Sequence, residues 1–437
     1  MRTGRLLRAC RFLVTQRLLA LPAVLGMVIV GVCPGIASAA PVGHVRPGPP
    51  AVPGAGLGLA RAPAGLRAAV GRTLGVPATA ATGASQQAKL TAADAAVNDY
   101  FGLSVAIYGS TAVVGAPYKN TGTAAYVFVR SGSAWSQQAK LTAADGGSGD
   151  LFGSSVAIYG STVLVGAPGA NSFTGAAYVF ARSGTAWSQQ AKLTAASGGE
   201  FGWSVALYGS TAVVSAPYEN SQTGAAYVFA RSGTAWSQQA ILTAAHGAPS
   251  DRFGWSVAIY GSTAVVGAPY RKSGTAYVFA RSGTAWSQQA QLAATDGAVG
   301  GLFGSSVAIY GSTALVSAPH ENSDTGAAYV FARSGTAWSQ QAKLTARGTS
   351  GESLGWSVAI YGSTAVLGAP SNQFDTGAAY VFARSGTAWS QQAKLTAADA
   401  ASSDDFGGSV ALYGSTAIAG APYKNSNTGA AYVFVSV

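Results

Sequence analysis

Seven times the chain returns to the dipeptide Phe-Gly, once as Leu-Gly, beginning at Phe101, Phe152, Phe201, Phe253, Phe303, Leu354 and Phe406, with successive spacings of 51, 49, 52, 50, 51 and 52 residues. Self-similarity at a fixed period constrains a fold more tightly than length does, because each unit must be one supersecondary element that stacks on its siblings. With small changes every unit reads FGxSVAIYGSTAVVGAPYxNxxTGAAYVFARSGTAWSQQAKLTA.

Punctuation divides the unit into four extended segments. The first is SVAIY, as in residues 104–108, and the second TAVVGA, as in 111–116, with only Gly109-Ser110 between them. A two-residue Gly-Ser connection between β-formers signals a hairpin, since glycine readily takes the positive φ that a type II′ turn needs at its first central position. AAYVFAR, as in 176–182, and TAWSQQAKLTA, as in 185–195, form a second hairpin that the sequence places on Ser183-Gly184. No segment sustains a 3.6-residue period, and Val, Ile, Tyr, Phe and Thr dominate, so strands and not helices are expected.

The first three segments are apolar on both pleat faces, so their sheet must be covered on both sides. Seven four-stranded antiparallel sheets set radially satisfy this, each packing on its two neighbours. A linear β-solenoid is the competing arrangement, but its repeats add parallel coils where these add hairpins. The expected fold is all-β, a seven-bladed β-propeller. The array's ends support a ring. Six units continue into the fourth segment, with Trp135, Trp187, Trp236, Trp286, Trp338 and Trp389, whereas the seventh stops after its third; the missing text stands alone at residues 85–92, ahead of the first Phe-Gly. That N-terminal strand is expected to pair with residues 430–434 and close the ring, removing an exposed edge.

Charge is uneven along the chain. Residues 1–84 hold nine of the 26 basic side chains and no acid, leaving 17 basic against 15 acidic residues from 85 onward. A nearly neutral body argues against nucleic acid, which calls for a concentrated basic face. Residues 1–39 read as a signal peptide: arginines, the apolar stretch 18–32, then Ala37-Ser38-Ala39 as the cleavage site. The alternative is an uncleaved leader that anchors the protein in a membrane. Val32 before Cys33 argues against lipidation. Residues 40–84, with seven of the 17 prolines, read as a flexible spacer, and residues 85–437 as the propeller. Both cysteines, Cys10 and Cys33, precede residue 40, so the exported chain would carry no disulfide and no thiolate metal site.

The pairing of Phe-Gly with Gly-Ala-Pro at fixed separation resembles the FG-GAP repeat of the integrin α-subunit head and of secreted or surface bacterial proteins. Gly-Ala-Pro occurs at 115–117, 166–168, 267–269, 368–370 and 420–422, and Ser215 and Ser317 replace its glycine in the other two units. The resemblance implies a recognition or adhesion platform. The aspartate-rich calcium loop that such repeats often carry between their first two strands is replaced here by Gly-Ser, too short to supply six to eight oxygen ligands. No cofactor is expected.

In antiparallel blades the one-to-two and three-to-four turns share one face of the ring, and the two-to-three and four-to-one connections share the other. Almost all variation among units falls on the second face. Candidate ligand-binding residues there are Trp203, Trp255 and Trp356, directly after Phe-Gly or Leu-Gly, together with Tyr118, Tyr218, Tyr270, His320 and Glu321. Aromatic faces at such a mouth can stack on sugars or peptides; the alternative reading is packing between blades. Asp94, Asp99, Asp145, Asp150, Asp399, Asp404 and Asp405 form an acidic set whose simplest role is loop formation. His44, His246 and His320 are too scattered for a metal triad or a Ser-His-Asp arrangement. The sequence thus reads as an exported, monomeric, non-catalytic module for an extracellular protein or glycan. An exported glycan hydrolase or lyase with carboxylates at the mouth, or a purely structural surface protein, are the alternatives.

Overall fold

The computed structural model describes residues 83–119, 123–346 and 351–437; the expected signal peptide and nearly all of the expected spacer lie outside the described residues. The described residues form seven four-stranded antiparallel sheets, a seven-bladed β-propeller. Blade 1 holds β2 (Ser104–Tyr108), β3 (Thr111–Ala116), β4 (Ala124–Ser131) and β5 (Ala134–Leu141), and blades 2 to 6 repeat that order. The last blade is composite. There β26 (Ser409–Tyr413), β27 (Thr416–Ala421) and β28 (Ala430–Val435) are completed by β1 (Ser85–Leu90), which pairs antiparallel with β28 from Ser85 opposite Val435 to Leu90 opposite Ala431. Closure by the N-terminal strand is as the displaced text requires.

The repeated dipeptide locks each blade to the one before. Phe101 is fully buried against Tyr126 and Phe128 of its own blade. Gly102, at φ +93°, lies so close to blade 7 that a Cβ would stand 2.3 Å from the Ala430 carbonyl oxygen. Gly115 of Gly-Ala-Pro faces blade 2, where a Cβ would stand 2.0 Å from the Gly153 carbonyl oxygen, and Ser104 Oγ donates to that same oxygen at 2.8 Å. The glycine of Phe-Gly is therefore demanded by its positive φ and by interblade contact together, and that of Gly-Ala-Pro by interblade contact alone. Ser215 fits where glycine is usual because its hydroxyl binds the backbone of Ser204 (N–H at 3.0 Å), and Ser204 Oγ turns to accept from the Val257 N–H instead.

The second hairpin differs by one residue from its expected position. Ser183 pairs with Ala186, so the turn is Gly184-Thr185. Only the glycine has positive φ, +60°, and the first central position of the turn settles on it. On the rim, each fourth-strand tryptophan donates its indole N–H to a glutamine of the preceding blade, as Trp187 to Gln138 at 2.9 Å, and lies under an arginine of its own blade. Trp135 finds its glutamine, Gln87, on β1. The seam keeps the contacts of an ordinary junction.

Candidate functional site: an aromatic crescent at one mouth of the ring

Three positions per blade converge on the variable-loop mouth: the residue before Phe-Gly, the residue after it, and the residue after Gly-Ala-Pro. The residue before Phe-Gly has positive φ in all seven units, 52–60°, in Tyr100, Leu151, Glu200, Arg252, Leu302, Ser353 and Asp405. Such a backbone is unfavourable for non-glycine residues, and interblade hydrogen bonds hold it. In five blades the preceding two-to-three loop makes a turn of three successive left-handed residues, as at 322–324 (φ 51°, 54° and 63°). The carbonyl of its third residue accepts the N–H of the next blade's residue before Phe-Gly: Phe173 from Glu200, Gln222 from Arg252, Asp324 from Ser353, Asp375 from Asp405 and Asn427 from Tyr100, at 2.8–3.0 Å. Left-handed geometry costs about 1–2 kcal/mol per residue, so these turns are kept by the contact they make.

Within this frame, blades 3 and 4 gather four of the expected aromatics. Trp203 and Trp255 meet at 4.8 Å between ring centroids, Trp203 meets Tyr218 at 5.5 Å, and Trp255 meets Tyr270 at 5.3 Å. The guanidinium of Arg252 lies 4.3 Å from the ring centroid of Tyr270, 5.0 Å from that of Tyr218 and 5.6 Å from that of Trp255, a cation held among aromatic rings. Its Nε donates to Gln222 at 3.2 Å. Glu200 completes the cluster. Burial pushes its carboxyl from 4.5 up to about 7, against the opposing pull of Arg252. Burial likewise raises the Tyr218 and Tyr270 phenols. Tyr270 is exposed and both tryptophans are half-buried, so the crescent presents aromatic surface to solvent.

The other expected residues fall elsewhere. Trp356 pairs with His320 at 6.4 Å, and His320 Nδ1 lies 2.5 Å from Asp324 Oδ1. Tyr118 joins a separate group, 5.0 Å from Tyr100, which is 5.3 Å from Tyr423. Glu321 does not face the mouth: it is 2% exposed, and its carboxylate accepts the Ala298 N–H at 3.2 Å beside Lys343. Gly301 stands where other units place the loop-capping aspartate, and Glu321 reaches back to fill that role. Arg252, Glu200 and Tyr100 were missed as site residues. The signal was available, because they directly precede Phe-Gly, in register with the chosen tryptophans.

The acidic set is occupied within the loops. Asp99, Asp150 and Asp404 accept N–H groups of their own loops (Ala96, Gly147 and Ala401) at 2.7–2.8 Å. Asp94, Asp145 and Asp399 receive Lys140, Lys192 and Lys89 at 2.6–2.8 Å. Burial opposes ionisation of Asp94, yet the bonds from Lys140 and Tyr126 and the charge of Lys119 hold it down at about 2.

At the opposite mouth, the last residues of the seven inner strands form a closed belt. Tyr108, Tyr159, Tyr208, Tyr260, Tyr310, Tyr361 and Tyr413 touch in succession, and Tyr413 returns to Tyr108, with every neighbouring pair of centroids 4.8–4.9 Å apart.

The FG-GAP repeat model matches seven segments, residues 84–128, 135–180, 187–229, 236–279, 286–331, 338–382 and 389–434. The chain belongs to the FG-GAP repeat family. Each match runs from the outer strand of one blade to the third strand of the next, so the FG-GAP segments straddle interblade contacts. No curated protein matches this FG-GAP chain. Among solved structures, a chain in "Crystal Structure of Mitotic Checkpoint Complex" is similar over 80% of this chain and 91% of that one, at 11% identity and a TM-score of 0.52. That likeness is one of fold.

Proposed function

We propose that this FG-GAP propeller is an exported, monomeric, non-catalytic binding module that takes an extracellular glycan or protein at its variable-loop mouth. One observation carries the reading. The frame repeats seven times, yet among the described residues the Trp-Tyr-Arg crescent is built only in blades 3 and 4, where interblade packing alone would accept the Leu103, Ser154 or Ser305 found at the matching positions. Stacking on exposed aromatic rings, with a fixed cation and a carboxyl alongside, suits a sugar or a peptide. The leader at residues 1–39 supports export.

Glycan and extracellular-matrix protein arrays probed with the purified protein test this. Replacing Trp203, Trp255 and Trp356 together by Ala is expected to reduce capture at least tenfold while leaving the thermal melt a single transition. Undiminished capture by the folded triple variant would assign these tryptophans to packing. Catalysis is favoured by one feature, the Glu200 carboxyl raised to about 7. Its charged neighbour is Arg252, whereas glycoside hydrolysis generally employs a carboxyl pair. Release of product from a captured glycan, abolished by Glu200→Gln, would turn the assignment to an enzyme.

A further inference from the structure

Two buried lysines lie apart from the aromatic crescent. In blade 1, Lys119 Nζ is 2.7 Å from Oδ2 of Asp99, with the two side chains 3% and 1% exposed. It also donates to the Asp94 backbone carbonyl and lies 3.6 Å from Asp94 Oδ2. Oδ1 of Asp99 is buried without a hydrogen-bond partner. Asp94 is steadied by the Tyr126 hydroxyl at 2.6 Å. Blade 7 repeats the arrangement. Lys424 Nζ is 2.8 Å from Asp404 Oδ2, each side chain 5% exposed, and 3.8 Å from Asp399 Oδ2, while Asp399 accepts from the Tyr432 hydroxyl at 2.7 Å.

These residues stand at fixed offsets from Phe-Gly: an aspartate seven before, an aspartate two before and a lysine eighteen after, and only units 1 and 7 hold all three. Unit 2 has Asp145 and Asp150 but Ala170 in place of lysine. Unit 4 sets Arg271 on Asp251 and has His246 at the first position, and unit 5 has Asp296 with Gly301 and Glu321. Lysine, unlike the always-protonated guanidinium, becomes a nucleophile on losing one proton. A fully enclosed ion pair carries a desolvation penalty, and condensation to an amide removes both charges.

We propose that Lys119 is joined to Asp99, and Lys424 to Asp404, by side-chain amide bonds, with Asp94 and Asp399 as the residues that position each amine on its acceptor. The lysine ammonium passes a proton to the aspartate oxygen on which it sits, 2.7 Å away in blade 1 and 2.8 Å away in blade 7. The freed amine attacks that aspartate's Cγ, the N–Cγ bond forms, the Cγ–Oδ bond breaks, and the oxygen leaves as water with the second proton from nitrogen. One ammonium and one carboxylate become one amide and one water, with no oxidant or co-reactant. Each bond closes a loop between residues 20 apart, which restricts the unfolded chain as a disulfide does. The placement fits that role: Asp99 lies in the connection leaving β1 and Asp404 in the one entering blade 7, so the bonds fasten the two blades that meet at the seam. The only cysteines, Cys10 and Cys33, precede residue 40 and offer no substitute there.

Tryptic mapping of the denatured full chain reads the bonds directly. Trypsin cuts after free lysine, so an unbonded chain yields 90–119 with 120–130, and 395–424 with 425–437. Bonded lysines resist cleavage, and the expected products are 90–130 and 395–437, each lighter by one water. Lys119→Arg and Lys424→Arg are expected to return only their own segment to the cleaved form. Asp94→Asn keeps both reacting residues of blade 1 and is expected to lower its bonded fraction at least tenfold while blade 7 stays bonded. Free-lysine peptides 90–119 and 395–424 recovered from wild-type protein after prolonged incubation in the folded state would overturn the proposal, and that result depends on no variant folding.

Discussion

Gly166 shows how much of the fold rests on the absence of one atom. A Cβ there would stand 2.0 Å from the Gly202 carbonyl oxygen and 2.3 Å from Ser155 Oγ. Gly166→Ala is expected to destabilise the fold by about 1–3 kcal/mol, the usual penalty of overpacking. Gly166→Ser is expected to lose less, since its hydroxyl can bind the Ser155 backbone as Ser215 binds Ser204. Thermal melts of the two variants check the order. Glu200 gives a second test. Its folded carboxyl is raised from 4.5 to about 7, so its neutral form is favoured, and the stability it contributes is present below pH 4.5 and lost as pH rises through 7. Glu200→Gln should flatten the dependence of the melting temperature on pH between 5 and 8; an unchanged slope would show that other groups set it. The glycines of Phe-Gly and Gly-Ala-Pro were legible as repeated letters, but their reason, contact with a backbone about 50 residues away, is visible only once blades are side by side.

The strands themselves could be read almost to the residue. SVAIY and TAVVGA are β2 and β3 as the Gly-Ser turn delimits them, and apolar letters on both pleat faces announced burial on both sides. The left-handed turns were not legible. Asn-Ser-Asp at 322–324 looks like an ordinary loop, and its three positive φ values go with the hydrogen bond that the Asp324 carbonyl accepts from the next blade's Ser353 N–H. The same blindness hid Arg252 and Glu200, because what gathers them is an interblade junction and not their neighbours in sequence. The closing strand is where the element scale is most exposed to test. β1 brings to blade 7 its register with β28, Gln87 for Trp135 and Lys89 for Asp399. Deleting residues 85–92 is expected to lower stability by several kcal/mol, on the order of the apolar area uncovered. Equal melting temperatures for the deletion and the full chain would contradict this.

Across the whole ring, the tyrosine belt couples all seven blades. Burial, then the neighbouring phenols, push Tyr260 from 10.0 up to about 12 and raise Tyr108 and Tyr361 in the same direction. An unfolded chain would ionise these phenols near pH 10, so their contribution is complete below that value and is lost as pH rises toward 12. Melting temperature should hold steady to about pH 10 and then decline, and Tyr260→Phe should soften that decline; an equal decline in the variant would refute it. Geometry adds a consequence. A heptagon whose sides are 4.8–4.9 Å puts the ring centroids about 5.6 Å from the axis. The ring is thus laced shut at the mouth opposite the crescent, where no blade can splay from its neighbours without parting two phenol contacts.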